Sequence, residues 1–193
     1  MELADLHRRS VQSWRSRLNA VDDSQWTLPT PCTEGEVRAL VNHVVGEELW
    51  TVPLVDGATL VEIGDRFDGD LLGDDPRALG RTAATEAVAA VDRRLPEGGA
   101  VQLSFGVVPI EEYVQQLSAD HLVQSWDLAV ATHQDLSLDL ELVREVSQWF
   151  AEREKPYRDA GAVGPAAVPA GEDPQSALLA AFGRVAPQRD EDG

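Results

Sequence analysis

The residues with the strongest chemical potential lie on two apolar helical stripes. Tyr113, Leu117, Asp120, Gln124, Leu128 and Ala131 repeat at helical spacing with Val123 and Trp126 beside them, so this face turns toward a core. Asp120 and Gln124 interrupt it. A carboxylate buried without a partner is expensive, so Asp120 must find a metal, a cation or several hydrogen bonds. Upstream, His43 lies beside the Leu40 and Val44 stripe, with Glu47 one turn later on the same face. If the two helices are neighbours, His43 and Asp120 meet in the interior. Imidazole and carboxylate suit zinc or another divalent ion, and a catalytic site needs three protein ligands with one open position. Gln124 offers an amide oxygen and Glu47 a carboxylate toward that count. The residue types equally allow a His43 to Asp120 hydrogen bond that joins two helices, or acid–base work by Asp120, Gln124 and His43 without metal.

Other reactive types are less well placed. His121 stands about 100° around the helix from Asp120, at the edge of the apolar face, and His7 and His133 read as surface residues near helix ends. Cys32 precedes a helix N-terminus, where the macrodipole favours a thiolate, although a buried cysteine is the simpler reading. Asp65, Asp68, Asp70, Asp74 and Asp75 among glycines lack the ligand order of a calcium loop and read as a solvated turn. No nucleophile elbow, phosphate-binding glycine loop or CxxC pair occurs.

The elements that position these residues follow from periodicity. Leu3, Leu6, Val11, Trp14 and Leu18 predict a helix over about residues 2 to 21. After a loop containing Pro29 and Pro31, the capping-box spacing Thr33-Glu34-Gly35-Glu36 starts a second helix that runs to about Trp50, with the stripe Val37, Leu40, Val41, Val44 and Leu49. Pro53 and Gly57 loosen the chain, and residues 64 to 76 connect. Pro76 opens an alanine-rich third helix, ended by Pro96-Glu97-Gly98-Gly99. Val101 to Phe105 alternates like a short strand or extended crossover broken by Gly106. A fourth helix spans Ile110 to about Thr132, and a fifth carries Leu142, Val146, Trp149 and Phe150. After a linker from Gly161 to Gly171, Asp173-Pro174 caps a last short helix stopped by Gly183. The tail after Arg184 is expected to be disordered. The pattern is that of an all-α antiparallel four-helix bundle forming a single domain over residues 1 to 184, in which sites are built on facing helices.

Composition sets the outer limits. A chain of 193 residues with 43% hydrophobic and 26% charged residues suits one globular core. No apolar run reaches the roughly 20 residues of a membrane helix. The first residues lack the pattern of a secretion signal, and a lone cysteine cannot form an internal disulfide, so a cytoplasmic location is expected. The net charge of -18 would repel a phosphate backbone, so neither nucleic acid nor membrane is an expected partner. A small molecule is, and the chain is either a monomer or a homodimer joined near Leu54 or Leu71-Leu72.

Thr30-Pro31-Cys32, the run Val37-Arg38-Ala39-Leu40-Val41-Asn42-His43-Val44-Val45-Gly46, the segment Asp120-His121-Leu122-Val123 with Ser125-Trp126-Asp127-Leu128-Ala129, and Pro174-Gln175 through Gly183-Arg184 carry a likeness across nearly the whole chain. Together they resemble the actinobacterial DinB-like family of mycothiol-dependent maleylpyruvate isomerases and mycothiol transferases. The resemblance implies an up-down bundle that holds a divalent metal, zinc or nickel, through one histidine on the second helix and an acidic residue plus a histidine four positions later on the last bundle helix. By position these are His43, Asp120 and Gln124. The third ligand is thus changed from imidazole to a weaker amide oxygen, and Gly35 replaces a usual tryptophan. Three functions follow: metal-dependent thiol transfer or isomerisation with mycothiol as cofactor, a repurposed metal-free bundle that binds or converts a small ligand, and a non-enzymatic binding protein.

Overall fold

The computed structural model describes residues 1–33 and 35–185 of the chain. Its helices, in chain order, are α1 (Leu3–Asn19), α2 (Val37–Val55), α3 (Leu60–Ile63), α4 (Pro76–Arg94), α5 (Ile110–Ala131), α6 (Leu140–Ala151), α7 (Glu154–Asp159) and α8 (Pro174–Ala181). Between α4 and α5 the strands β1 (Ala100–Leu103) and β2 (Gly106–Pro109) form an antiparallel hairpin, with Val101 opposite Val108. Gly106, expected to end a lone strand, instead opens the second one. The short helix α7, inside a region rich in charged residues, has no apolar stripe to announce it.

Contacts between particular residues set the helix directions. Arg8 meets Asp92 at 3.2 Å and Arg81 meets Asn19 at 3.4 Å, so α1 and α4 are antiparallel. Thr51 meets Tyr113 at 3.1 Å and Glu48 meets His121 at 3.2 Å, so α2 and α5 are antiparallel as well. Arg93 pairs with Asp56 at one end while Gly80 lies against Val45 further up, which makes α2 and α4 parallel. Ser13 touches Ser125 and Arg17 accepts from Gln134, so α1 and α5 are parallel too. The bundle is therefore two parallel pairs running against each other, with α1 and α2 on a diagonal. Gly80 permits the α1–α4 approach, because a Cβ there would stand 2.4 Å from the end of Leu18.

Local chemistry explains most boundaries. Asp75 accepts from the Ala78 N–H at 3.0 Å with Pro76 in the first turn of α4, and Asp173 does the same for Ser176 ahead of α8. The expected capping box at Thr33 does not start α2. The helix begins at Val37, and the loop before it supplies the acceptors: Val37 N–H donates to Leu28 O at 3.0 Å and Arg38 N–H to Trp26 O at 2.9 Å. Gly35, with φ +92, makes the turn that brings this loop back, and Glu34 lies outside the described residues. The helix also outlasts Pro53, because Leu54 and Val55 are buried in a cluster with Ala90, Val91 and Ile110. Burial there outweighs the one hydrogen bond a proline removes. The tail predicted to be disordered falls, from residue 186 onward, outside the described residues.

Burial corrects three further expectations. Leu54 and Leu72 are 3% and 2% exposed, so neither offers a dimer contact. His7 is not on the surface: it is fully buried, and its ring packs edge-on against His121, 6.1 Å between centres. Its place near a helix start suggests the surface, but the side chain turns inward against α5. His121 is likewise fully inside, whereas His133 is exposed as expected, at φ 58 just past α5.

Burial, and then the neighbouring His121, hold the His7 pKa at about 3 instead of 6.5. The unfolded chain therefore binds a proton that the folded one refuses, so stability is full above pH 6.5 and falls as the pH drops toward 3. His7→Phe removes this dependence: between pH 7 and 4 the wild type should lose about 3 kcal/mol more than the variant in urea titrations. Equal losses would place a solvated His7.

Candidate active-site cavity

Since α2 and α4 point the same way, residues 56–75 must travel back along the bundle, and they do so against α2. Asn42 fixes this strap at both amide atoms, donating to Gly69 O at 2.9 Å and accepting from Leu71 N–H at 2.8 Å. Arg38 holds Asp70 at 2.9 Å. The aspartates of the strap are thus partly occupied by a structural ion pair and exposed to water, in keeping with a solvated turn.

Three cavities open around one side chain. The first, about 780 Å³, lies between α2, the strap and the hairpin, with His43, Glu47, Trp50, Phe67 and Tyr113 in its wall. The second, about 760 Å³, is more polar and includes His43, Glu47, Gln124, Cys32 and Arg184 with residues 161–165. The third, about 540 Å³, is apolar and carries Trp149, Tyr157, Phe105 and Phe182. Asp120 lines all three. The residues singled out in the sequence, His43, Asp120 and Gln124, therefore share the second cavity, and Glu47 joins them.

Their surroundings differ. His43 is 40% exposed, and its Nε2 stands 3.3 Å from Glu47 Oε1 on the next turn. Glu47 Oε2 and Gln124 Oε1 are buried and lack hydrogen-bond partners. Asp120 is half-buried. Burial first, and the Glu47 carboxylate second, push its pKa from 3.8 to about 7, while His121, His43 and Arg184 pull the other way without cancelling the rise. Both protonation states of Asp120 are thus populated near neutrality, as proton transfer requires.

Behind this face lies a buried pair that the sequence reading missed. His121 Nδ1 donates to Leu117 O at 2.7 Å, and Nε2 meets Glu48 Oε1 at 3.2 Å, both side chains being essentially inaccessible. A carbonyl cannot donate, so Nδ1 carries a proton. The Nε2 to Glu48 bond then needs a second proton on one partner or the other. Burial raises Glu48, with His121 opposing. At His121 burial acts against the charged ring, but the bond to Glu48 and its charge win and the net shift is upward. The pair is a one-proton bridge between α2 and α5. Its signal was available, since Glu48 continues the Val37, Val41 and Val44 stripe while Leu49, assigned to it, is only partly buried. A second missed group is Arg184, which binds the fully buried Asp127 through Nε and Nη2 at 2.7 to 3.2 Å and so fastens the C-terminal arm to α5. Cys32 is partly buried, its Sγ 3.3 Å from Thr30 Oγ1.

Fold and cavity together define a helical bundle whose two antiparallel helices, α2 and α5, converge polar groups on an internal cavity. The chain belongs to the family described as the mycothiol maleylpyruvate isomerase N-terminal domain, whose model matches residues 7–129. Two curated relatives from Mycobacterium tuberculosis, the uncharacterized proteins MT0763 of strain CDC 1551 / Oshkosh and Rv0738 of strain H37Rv, are each 31% identical over 144 residues, covering 72% of this chain and 72% of their own length. No solved structure matches the chain. No helix among the described residues is long and apolar enough to cross a membrane.

The metal that this family implies can be tested against the residues present. Orphaned acceptors at Glu47 and Gln124 would welcome a cation, yet among the described residues no three His, Cys, Asp or Glu side chains stand where they could hold one ion. With an amide at position 124 the donors do not fit a zinc or nickel site. Gln124→His supplies the missing imidazole four residues after Asp120, and should tighten Zn²⁺ binding at least 10-fold in competition with a chromophoric chelator. Unchanged affinity would show that position 124 does not govern metal binding.

Proposed function

We propose that this protein joins a small organic molecule to a thiol, with mycothiol as the thiol and Asp120 as the group that moves the proton. One observation carries the reading: cavities of opposite character meet at the Asp120 carboxyl. The polar one, with Gln124, Glu47 and Arg184 in its wall, suits a hydrophilic thiol. The apolar ones, walled by Trp50, Phe67, Trp149 and Tyr157, suit the organic partner.

In this arrangement the ionised Asp120 takes the S–H proton as sulfur adds to one carbon of an electrophilic double bond, the π electrons pass to the neighbouring carbon, and the Asp120 carboxyl returns the proton to that carbon. Tyr113 cannot do this, because burial raises its pKa and its hydroxyl is engaged with Thr51 at 3.1 Å. The His43 and Glu47 pair sits beside the reacting atoms and orients them. The family's metal, if loaded, would supply Lewis acidity to the thiol. No step above depends on it. A second reading, a metal-free bundle that only binds its ligand, draws support from Gln124 and the incomplete donor set.

Asp120→Asn separates the two. Purified protein incubated with mycothiol and a panel of electrophilic acceptors should consume thiol, and the variant should be slower by about 100-fold or more. The variant should melt no lower than wild type at pH 8, since a carboxyl with a raised pKa opposes folding once ionised. Ligand-induced melting shifts without turnover would favour the binder, and an equally active variant would remove Asp120 from the chemistry.

A further inference from the structure

The cavities at Asp120 also bear on what kind of organic molecule enters, an inference that rests on the reading of this site as the place where that molecule binds. We propose that the organic partner bears an amine: a cationic N–H donor carried, beside its reactive carbon, on an apolar or aromatic body.

The charged groups set into these mostly apolar walls are acidic. Glu47, Asp68 and Asp120 line the first cavity, and Asp120 the third, while neither has a lysine or arginine in its lining among the described residues. Arg184 reaches only the second cavity and is already bound to Asp127. Arg66 stands over the Phe67 ring, its guanidinium carbon 5.8 Å from the ring centre, but it is exposed and does not line the cavity. His43 faces Glu47, so any positive charge it carries is already met.

Among the described residues, two acceptors in these walls have no donor. Gln124 is 8% exposed, and its Oε1 lacks a partner in the wall of the cavity that shares His43, Glu47 and Asp120 with the first. Glu47 Oε2 is in the same position. Buried acceptors of this kind lose their hydration and gain nothing in exchange, so a ligand that brings N–H groups is favoured there. A dicarboxylate would instead add like charge beside Asp120 and Glu47, whose mutual repulsion already raises Asp120.

The apolar part of the wall is aromatic. Trp50 and Phe67 meet edge-on with centres 5.9 Å apart, Tyr113 stands nearby, and Trp149 and Tyr157 meet edge-on at 5.6 Å in the adjoining cavity. Ring faces attract organic cations as well as apolar bodies. The net charge of -18 adds long-range attraction of the same sign.

The test is calorimetry on the full chain in EDTA with four probes that share one aromatic body: 2-phenylethylamine, its trimethylammonium analogue, 2-phenylethanol and 3-phenylpropionate. The primary amine should bind at least 10-fold tighter than the alcohol and tighter than the quaternary ion, and the carboxylate should not bind. Asp120→Asn and Trp50→Ala, checked for folding by circular dichroism, should each weaken the amine about 10-fold. If the alcohol or carboxylate binds as well as the amine and both variants weaken it, the amine proposal fails and the cavity reading survives. If no probe binds, both fail. Amine binding that ignores Asp120→Asn is attraction to an acidic surface, and overturns the proposal.

Discussion

The constraint on which the rest of the structure depends is the parallel course of α2 and α4. Two consecutive long helices that point the same way cannot be joined by a tight turn, so some twenty residues must retrace the length of the bundle. They do so over the face of α2 that carries Asn42, His43, Gly46 and Trp50, and Asn42 pins them there with both halves of its amide. A simple up-and-down hairpin would leave that face bare. The return path instead roofs it with Phe67 and Leu71, and turns a helix surface into the wall of a chamber.

Within the bundle, polarity is graded from the solvent side inward. His43 and Glu47 sit at the margin, Asp120 one step further in, and Glu48 with His121 and His7 in the dry interior. The inner set is costly to bury and contributes little net stability on its own. Its shared proton gives it a different role: it fixes the rotation of α5 relative to α2, because a turn of either helix would leave a carboxylate and an imidazole unpaired among apolar side chains. The orientation of Asp120, one residue before His121, follows from that lock.

Much of the fold was legible in the sequence, because strong apolar periodicity and proline placement are local signals. Leu6, Val11, Trp14 and Leu18 marked α1, Pro76 opened α4 and Asp173-Pro174 opened α8. What failed was what depends on distant partners. Thr33 looked like a cap, but carbonyls of Trp26 and Leu28 satisfy the start of α2. Pro53 looked like a helix stop, but buried neighbours on α4 carry the helix past it. His7 reads as a surface residue because it stands near a helix start, yet its ring packs against His121 on α5. His43, Asp120 and Gln124 line one cavity, but His43 stands exposed at its rim and not in the interior that its stripe implies, while Glu48, on the same stripe, gives no signal of its own until its histidine is seen. The side-chain partners that join the C-terminal arm to α5 had no sequence signature at all.

That arm has a consequence for how such proteins diversify. Residues 161–165 and 182–184 form one side of the polar chamber, and they lie beyond the 7–129 segment that matches the family. They are held by Arg184 on Asp127, by Arg158 on the carbonyls of Gly164 and Ala181, and by the Phe182 ring packed on Phe150. The part of the molecule that walls this side of the chamber is thereby supplied by a segment other than the helices that carry His43, Glu47 and Asp120. Sequence drift in the last thirty or so residues can reshape the opening while the scaffold underneath keeps its geometry, so two members with superimposable bundles are free to admit different molecules.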